Sequence, residues 1–370
     1  MSKVIGIDLG TTFSAIASLD DLGNPEVLAS IEDNRKITAS AIYINGNNVT
    51  VGDKALNHIK EEPKKVILQP KREMENDVVY SVDHGKWTDD KDLVDAYTPA
   101  QVSSLILKKL KDYTTDVKKA VITVPAMFAE KARQATLDAA KLADLEVIEL
   151  INEPTAAVLH YASLPGVEVG GRVMIFDLGG GTFDVTFAEV KNKKVDVLTS
   201  RGDKYLGGRD FDKEITKLMK IKYHDVHKVD IDIENKKEYL QKAEEVKKIL
   251  SVKNKASISI DGPKGPQQIE ITLEEFEESI QTYIEKIKML IEEAMEASGM
   301  KPSRINQTLL VGGSTRIPLI TKVLTNRDVV ANTIIIERDS KLPVSITKRL
   351  FTIYEGQETL ECSVTQSEGP

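Results

Sequence analysis

The feature that most constrains this chain is a motif that occurs twice, near residues 8 and 177. Residues 4–13 and 173–184 each contain a short apolar run, the tripeptide Asp-Leu-Gly and then further Gly and Thr residues, and a second apolar run follows. Short β-rich runs joined by a glycine-containing connection are typical of β-hairpins. Two copies at this separation predict a duplicated domain in which each lobe begins on a hairpin.

The residues between the two runs favour the binding of an anion. Glycine lets backbone N–H groups approach an anion closely, and consecutive amides form a concave anion site. Asp8 and Asp177 follow the predicted strands, and their carboxylates suit Mg²⁺, directly or through its water molecules. One copy alone is equally compatible with an ordinary turn, but two strand-bounded copies favour a clasp around a polyphosphate. Neither copy has the glycine pattern of Rossmann or P-loop proteins.

Composition excludes several classes of protein. The 370 residues include 50 Lys and Arg and 58 Asp and Glu, a formal net charge of −8, which argues against a nucleic-acid binder held by bulk charge. Cys362 is the only cysteine, so an internal disulfide framework and a clustered-cysteine metal site are excluded. No apolar run is long enough to span a membrane, and the N-terminus lacks a long apolar signal segment. We therefore expect a soluble, cytoplasmic chain of two or three units without nucleic-acid or membrane partners.

Strands and helices alternate after each hairpin. In the first half the pattern predicts a helix with Thr98 as N-cap and Pro99 as its first residue, strands at 119–124 and 148–151, and helices at 129–144 and after Asn152. In the second half it predicts a helix at 235–250, a hairpin at 257–260 and 268–271, one long helix from a Thr272/Glu275 capping box to Gly299, and a strand at 308–311. The fold class is therefore α/β, with two lobes around a ligand-binding cleft and a junction at 161–171.

Several motifs, in order, resemble those of the 70-kilodalton heat-shock chaperones, nearly continuously from Met1 to about Leu324. The matching segments are 8–12 and 177–184 (the two phosphate motifs), 124–126 and 133–136 (the strand and helix before a hinge), 152–157 (the first hinge), 202–208 (a nucleotide-side loop) and 311–318 (the adenosine motif). The resemblance implies an actin-like ATPase fold for 1–325, with RNase H-like βαβ cores in lobes at about 1–165 and 170–325. It also implies ATP hydrolysis coupled to the binding and release of unfolded polypeptide.

The resemblance further implies roles for individual residues. Lys71 and Glu153 would position the attacking water, with Asp177 and Thr182 completing the catalytic set. Asp8, Asp177 and Asp184 would surround Mg²⁺ and two K⁺ ions, mostly through water. The residues implied to hold ATP or ADP are Gly10, Thr11, Thr12 and Phe13 in the first turn, Gly179, Gly180, Gly181, Thr182, Gly207 and Gly208 around the second, and Glu244, Lys247, Ser251, Gly312, Gly313, Ser314 and Arg316 on the adenosine side.

Without the resemblance, the same residues have plainer interpretations. Lys71 lies in a charged stretch and would be interpreted as solvated surface. Glu244 and Lys247 would be an ordinary surface pair three residues apart on a helix. Arg133 would be a solvated helix residue, whereas the family implies a relay with Pro125 and Glu153.

The chain departs from the family after Leu324. The second hinge helix and the apolar interdomain linker are missing, and 332–343, 349–356 and 360–366 resemble strands of the family's β-sandwich peptide-binding domain. We therefore expect 332–370 to be a partial peptide-binding domain, too short to fold unaided, or alternatively a tail that packs on or replaces the missing ATPase element. Within the ATPase region, Arg209 stands near the ribose where the family usually has an acidic residue.

These observations leave three functional hypotheses. The first is an ATP-hydrolysing chaperone of the stress response, with unfolded polypeptides, a J-domain co-chaperone and a nucleotide-exchange factor as partners. The second is a nucleotide-dependent module that binds co-chaperones and turns over little ATP. Intact Lys71, Glu153 and Asp177 favour the first, and the missing hinge and linker favour the second. The third, an actin-like filament former or sugar kinase, is disfavoured by residues 152–155 and by the adenosine-side helix.

Overall fold

The computed structural model describes residues 3–163, 170–191, 194–234 and 236–325. Residues 3–163 are called the first half below, and the described residues from 170 to 325 the second half. The predicted fragment at 332–370, with Cys362, lies outside the described residues, as does most of the predicted junction.

Eighteen strands and nine α-helices are formed by the described residues. The strands are β1 (Lys3–Asp8), β2 (Phe13–Leu19), β3 (Pro25–Val27), β4 (Thr38–Ala39), β5 (Ala41–Asn45), β6 (Asn48–Val51), β7 (Val66–Leu68), β8 (Val79–Ser81), β9 (Lys86–Thr88), β10 (Ala96–Tyr97), β11 (Val117–Val124), β12 (Glu146–Asn152), β13 (Gly171–Leu178), β14 (Phe183–Lys191), β15 (Lys194–Asp203), β16 (Lys255–Gly262), β17 (Gly265–Thr272) and β18 (Gln307–Val311). The helices are α1 (Asp53–Leu56), α2 (Pro99–Lys111), α3 (Glu130–Leu142), α4 (Glu153–Ser163), α5 (Gly208–His227), α6 (Lys237–Leu250), α7 (Leu273–Ser279), α8 (Gln281–Ser298) and α9 (Pro318–Thr325), with short 3₁₀ helices at Pro63–Lys65, Pro70–Glu73, Pro302–Arg304 and Gly313–Arg316.

The two main sheets have equivalent strand orders. The first runs β3-β2-β1-β11-β12, with β4 also paired to β2, and the second runs β15-β14-β13-β18. In each sheet three consecutive strands pair antiparallel, and a much later strand then pairs in parallel with the first of them. The two predicted hairpins are thus confirmed, and the shared topology supports the predicted duplication.

Helices pack against each of the two main sheets, and each half has its own buried hydrophobic core. In the first half, α2 buries Val102, Ile106 and Leu110 within a cluster that includes Ile5 and Ile7 of β1. In the second half, α5, α6 and α8 pack with the aromatic residues of β13 and β14. Helix α4 contacts strands of both sheets, so it connects the two halves.

The capping predictions hold, but the prediction of one long helix after Thr272 is wrong. Thr272 and Glu275 form the predicted capping box, and Gly299 ends α8 in the left-handed conformation. At Ile280, however, the backbone leaves the helix (φ −101°, ψ 5°), which separates α7 from α8. The hydroxyl of Ser279 donates to the Phe276 carbonyl at 2.7 Å, and side-chain bonds of this kind compete with the helical ladder.

No helix in the part of the chain that the structure describes is both long and apolar enough to cross a membrane.

Candidate functional site

The two glycine-rich turns face each other. A Cβ atom placed on Gly180 would lie 3.0 Å from Cβ of Thr12, and one placed on Gly181 would lie 3.1 Å from Cβ of Thr11. These approaches are tighter than ordinary van der Waals contact, so only glycine fits opposite the first turn. The structure therefore brings together the two turns that the repeat predicted to form a clasp.

Other predicted segments pack against the second turn. A Cβ on Gly207 would lie 2.6 Å from the backbone nitrogen of Gly181, and the N–H of Gly208 donates to the Gly179 carbonyl at 3.0 Å. The hydroxyl of Ser314 donates to the same carbonyl at 2.9 Å. Three glycine-containing segments from distant parts of the sequence thus meet at one point.

The remaining residues of the turns stabilise their shape. The Thr182 carbonyl accepts a hydrogen bond from the N–H of Gly179 at 3.0 Å, which closes the second turn. In the first turn, the carbonyl of Gly10 accepts from Ser40 Oγ at 2.8 Å. Phe13 begins β2, and Nζ of Lys248 lies 5.8 Å from the centre of its ring.

Lys71 is buried and bonded to Glu153. It lies in the 3₁₀ helix that starts after Gln69, whose φ of 55° is left-handed, and only 5% of its surface is exposed. Its Nζ donates to Oε1 of Glu153, the first residue of α4. Burial opposes the charge of Lys71, but the carboxylates of Glu153 and Asp8 outweigh it and raise the lysine pKa. The interpretation of Lys71 as solvated surface is therefore wrong.

The carboxylates of Asp8, Asp177 and Asp184 lie near this lysine. Asp177 and Asp184 are register partners on β13 and β14, and Asp8 ends β1, where it accepts from the Thr123 hydroxyl at 2.9 Å. Burial, followed by the charges of Glu153 and Asp8, raises the pKa of Asp177 to about 7. Burial and the charges of Glu153 and Asp177 hold the pKa of Asp184 well above its usual range.

This cluster has the chemistry of a cation site. Asp184 is 2% exposed, and its Oδ1 has no hydrogen-bond partner among the described residues. A buried oxygen without a partner, among carboxylates that raise one another's pKa, is stabilised by a cation. No group of three or more acidic, His or Cys side chains in the described ranges is arranged to hold a metal directly. The unpartnered oxygen of Asp184 and the raised pKa values therefore fit a cation beside these carboxylates.

Of the three residues at the end of α6 that were expected to hold adenosine, Lys247 contacts the glycine segment at Gly208. Nζ of Lys247 donates to the Gly208 carbonyl at 2.9 Å and lies 2.8 Å from Oδ1 of Asp212. The Ser251 hydroxyl donates to the Lys247 carbonyl at 2.9 Å, while Glu244 pairs with Lys248 at 2.8 Å and not with Lys247.

The glycine loop after β18 is partly open to solvent. Gly312 adopts φ 87°, and a Cβ there would collide with the Leu178 carbonyl. Gly313 and Arg316 are exposed, so any contact of theirs with a ligand would be made at the mouth of the site.

Sequence reasoning missed the side chains that join the two halves. Arg72 forms an ion pair with Asp210, Lys204 pairs with Glu75, and Arg209 Nη1 donates to Gln69 Oε1 at 2.5 Å. Long-range pairs of this kind leave no periodic signal in the sequence.

The relay that the resemblance implied through Arg133 has a different geometry. The Arg133 guanidinium bonds to the Asn152 side chain at 2.7 Å and to the Phe128 carbonyl at 3.0 Å. It therefore contacts the residue before Glu153 and the loop that follows β11.

Comparison with known protein families identifies the family of this chain. The family model described as Hsp70 protein matches residues 4–339, from the second residue of β1 through α9 and part of the sequence that follows. Because this match covers most of the sequence, the chain belongs to the Hsp70 family, whose members are chaperones with ATPase activity.

Proposed function

We propose that the protein is an ATP-hydrolysing molecular chaperone and that the site described above binds ATP or ADP. The observation that carries the proposal is the meeting of two facing glycine turns with the buried pair of Lys71 and Glu153. We also propose the actin-like two-lobed arrangement for 1–325, with lobes at about 1–165 and 170–325, because the two sheets share one topology.

The turns would hold the phosphates. Their backbone N–H groups, together with the hydroxyls of Thr11, Thr12 and Thr182, would donate to the β- and γ-phosphate oxygens. Asp8, Asp177 and Asp184 would hold Mg²⁺ and K⁺ through water, and these ions would neutralise phosphate charge when bound.

Lys71 and Glu153 would act on the attacking water. Phosphoryl transfer to water depends on positioning and electrostatics, because the protein has little covalent chemistry to perform. Glu153 offers an acceptor for a proton of the water, and the raised pKa of Lys71 keeps its ammonium charged beside the phosphates. The ion pair fixes both groups, since neither side chain can move without leaving the other buried and unpaired.

The proposal is tested with Lys71→Ala and Glu153→Ala in a single-turnover assay. We expect ADP binding to persist while the hydrolysis rate falls by about 10²–10⁴-fold. Lys118→Ala and Glu149→Ala remove exposed side chains of the same types from the same half and serve as matched controls. Equal hydrolysis by the parent and the Lys71 and Glu153 variants would overturn the assigned roles.

We further propose that unfolded polypeptides, a J-domain co-chaperone and a nucleotide-exchange factor are partners, and that the protein acts in the cytoplasm, which suits a chain with one cysteine. The alternative, a co-chaperone-binding module with little turnover, would be favoured by the missing second hinge and linker that the sequence resemblance implies. ATP turnover measured with and without an unfolded peptide and a J-domain protein distinguishes them. Stimulated turnover supports the chaperone, while tight ADP binding without turnover supports the module.

A further inference from the structure

A small cavity lies between the two halves beside the first hairpin turn. Its volume is about 250 Å³, and its walls include Thr12 and Phe13 of the turn, Gln69, and two cations of the second half, Arg209 and Lys237. The cavity therefore adjoins the proposed phosphate site at Thr12 and shares Phe13 and Glu244 with the residues implied to hold the nucleotide, whereas Arg209 and Lys237 are additional.

Arg209 reaches this cavity with most of its hydrogen-bonding capacity unused. A guanidinium has five N–H donors, and the one side-chain bond that the structure shows is the bond from Nη1 to Gln69 Oε1, a neutral acceptor. Among residues 3–163, 170–191, 194–234 and 236–325, Arg209 forms no ion pair. Burial, and then the charge of Arg72, lower its pKa.

Lys237 also faces only neutral oxygens. Its Nζ donates to the carbonyls of Pro63 and Val66 at 2.7 and 2.6 Å and to the Tyr80 hydroxyl at 2.7 Å. Burial, and then the charge of Arg209, lower the pKa of Lys237 to about 8. The two cations therefore repel each other across a partly desolvated space, which costs free energy unless an anion compensates it.

The acidic side chains around the cavity are mostly paired elsewhere. Asp53 pairs with Arg35 at 2.6 Å, and Asp212 and Glu244 pair with Lys247 and Lys248, each at 2.8 Å. The remaining acidic residue of the lining, Glu245, is exposed to solvent. Asp210, Asp212 and Glu73 favour the charge of Arg209 through space. Among the described residues, however, no carboxylate forms an ion pair with Arg209 or Lys237, because Asp210 and Asp212 are paired with Arg72 and Lys247.

We propose that this cavity is a second anion site, in which the free donors of Arg209 bind a phosphate-type oxyanion and Lys237 supplies additional positive charge. A guanidinium fork matches two oxygens of a tetrahedral anion, and such charge-assisted bonds are among the strongest in proteins. The occupant that we infer, resting on the proposed function, is the inorganic phosphate released by hydrolysis, because the cavity adjoins Thr12. A terminal phosphate of a bound nucleotide is the other source of the same chemistry.

Titration of the full chain with inorganic phosphate, followed by calorimetry, tests the site without turnover. We expect Arg209→Gln to weaken phosphate binding at least about tenfold and Lys237→Gln to weaken it less, because charge-assisted hydrogen bonds are strong. Arg209→Lys keeps the charge but not the planar fork, so its phosphate affinity should lie between those of the parent and Arg209→Gln. An intermediate affinity separates loss of the site from loss of folding. Arg201→Gln and Lys236→Gln, both at exposed positions, are the controls.

Repeating the titration with saturating ADP, and separately with ATP, distinguishes the sources. If phosphate binds in the presence of ADP but not of ATP, a phosphate of the nucleotide also reaches the cavity. If phosphate binds in the presence of either nucleotide, the cavity is an independent site for the free anion. Undetectable phosphate binding by the parent, or equal binding by parent and Arg209→Gln, overturns the proposal. Failure of the proposed function is distinct, since it would be seen as absent ADP binding while the phosphate titration without nucleotide is unaffected.

Discussion

Arg72 and Asp210 form a buried ion pair between the two halves of the protein, with Nη2 2.9 Å from Oδ2 and side-chain exposures of 9% and 7%. Arg72 directly follows Lys71, and the same Oδ2 of Asp210 accepts from the N–H of Gly207 at 3.1 Å. The pair therefore joins the lysine of the proposed catalytic site to a glycine segment that packs on the second turn.

Removing one member of this pair should destabilise the protein strongly. Arg72→Met leaves the carboxylate of Asp210 buried, and Asp210→Asn leaves the guanidinium without its partner, each at a cost of about 3–5 kcal/mol in the free energy of unfolding. The double variant should cost less than the sum of the two single variants, with a coupling energy of about 0.5–3 kcal/mol from urea unfolding. Lys213→Met removes the half-exposed partner of Asp210 and should cost less than about 1 kcal/mol. Strict additivity would contradict a direct interaction.

Gly207→Ala should displace the second turn. The new Cβ would lie 2.6 Å from the Gly181 nitrogen and 2.7 Å from the Gly180 carbonyl carbon, and backbone atoms cannot rotate away as a side chain does. We expect overpacking to cost about 1–3 kcal/mol of stability and ADP affinity to fall, both measurable by thermal unfolding with and without ADP. Gly6→Ala is the control, because its Cβ would meet nothing within 4 Å. Equal effects of the two substitutions would show that the close approach is unimportant.

The sequence predicted the parts of the fold that have local signals. The N-cap at Thr98, the capping box at Thr272, the helix end at Gly299 and the two hairpins depend on residues close in the chain, and all are present. The break at Ile280 was missed because a serine inside an apolar periodic pattern gives no clear stop signal.

The candidate site was predictable where the motif was repeated and not where contacts are distant. The facing turns follow from two copies of one pattern. Buried Lys71 has its partner in Glu153, 82 positions away at the start of α4, and a charged stretch carries no trace of so distant a partner. The burial of Arg72 and Lys237 was likewise not predictable, because their partners Asp210 and Tyr80 lie in the opposite half.

Lys247→Met should change the titration of Asp212. Burial raises the pKa of Asp212 to about 6 although Lys247 lowers it, so removal of the lysine should raise that pKa further. A carboxyl whose folded pKa lies above its unfolded value destabilises the fold as pH rises through that range, so the variant should lose more stability near neutral pH than near pH 5. Carboxyl ¹³C NMR, assigned with Asp212→Asn, measures the pKa. An unchanged value would show that Lys247 does not act on Asp212.

The lysine at position 237 should make stability rise with alkaline pH. Burial and Arg209 lower its pKa from 10.5 to about 8, while Tyr80, whose own pKa burial raises, stays neutral beside it. Below pH 8 both folded and unfolded chains carry the proton, so the cost of burying the charge is present in full. Between about 8 and 10.5 the unfolded chain binds more protons, so the free energy of unfolding increases with pH. Lys237→Met removes this dependence.

Urea unfolding from about pH 7 to about pH 10 should therefore show the parent gaining stability relative to Lys237→Met. The difference in stability between the parent and Lys236→Met, a substitution at an exposed position, should not change with pH. A flat difference for Lys237→Met would mean that the amine is solvated and not held by the three oxygens of the first half.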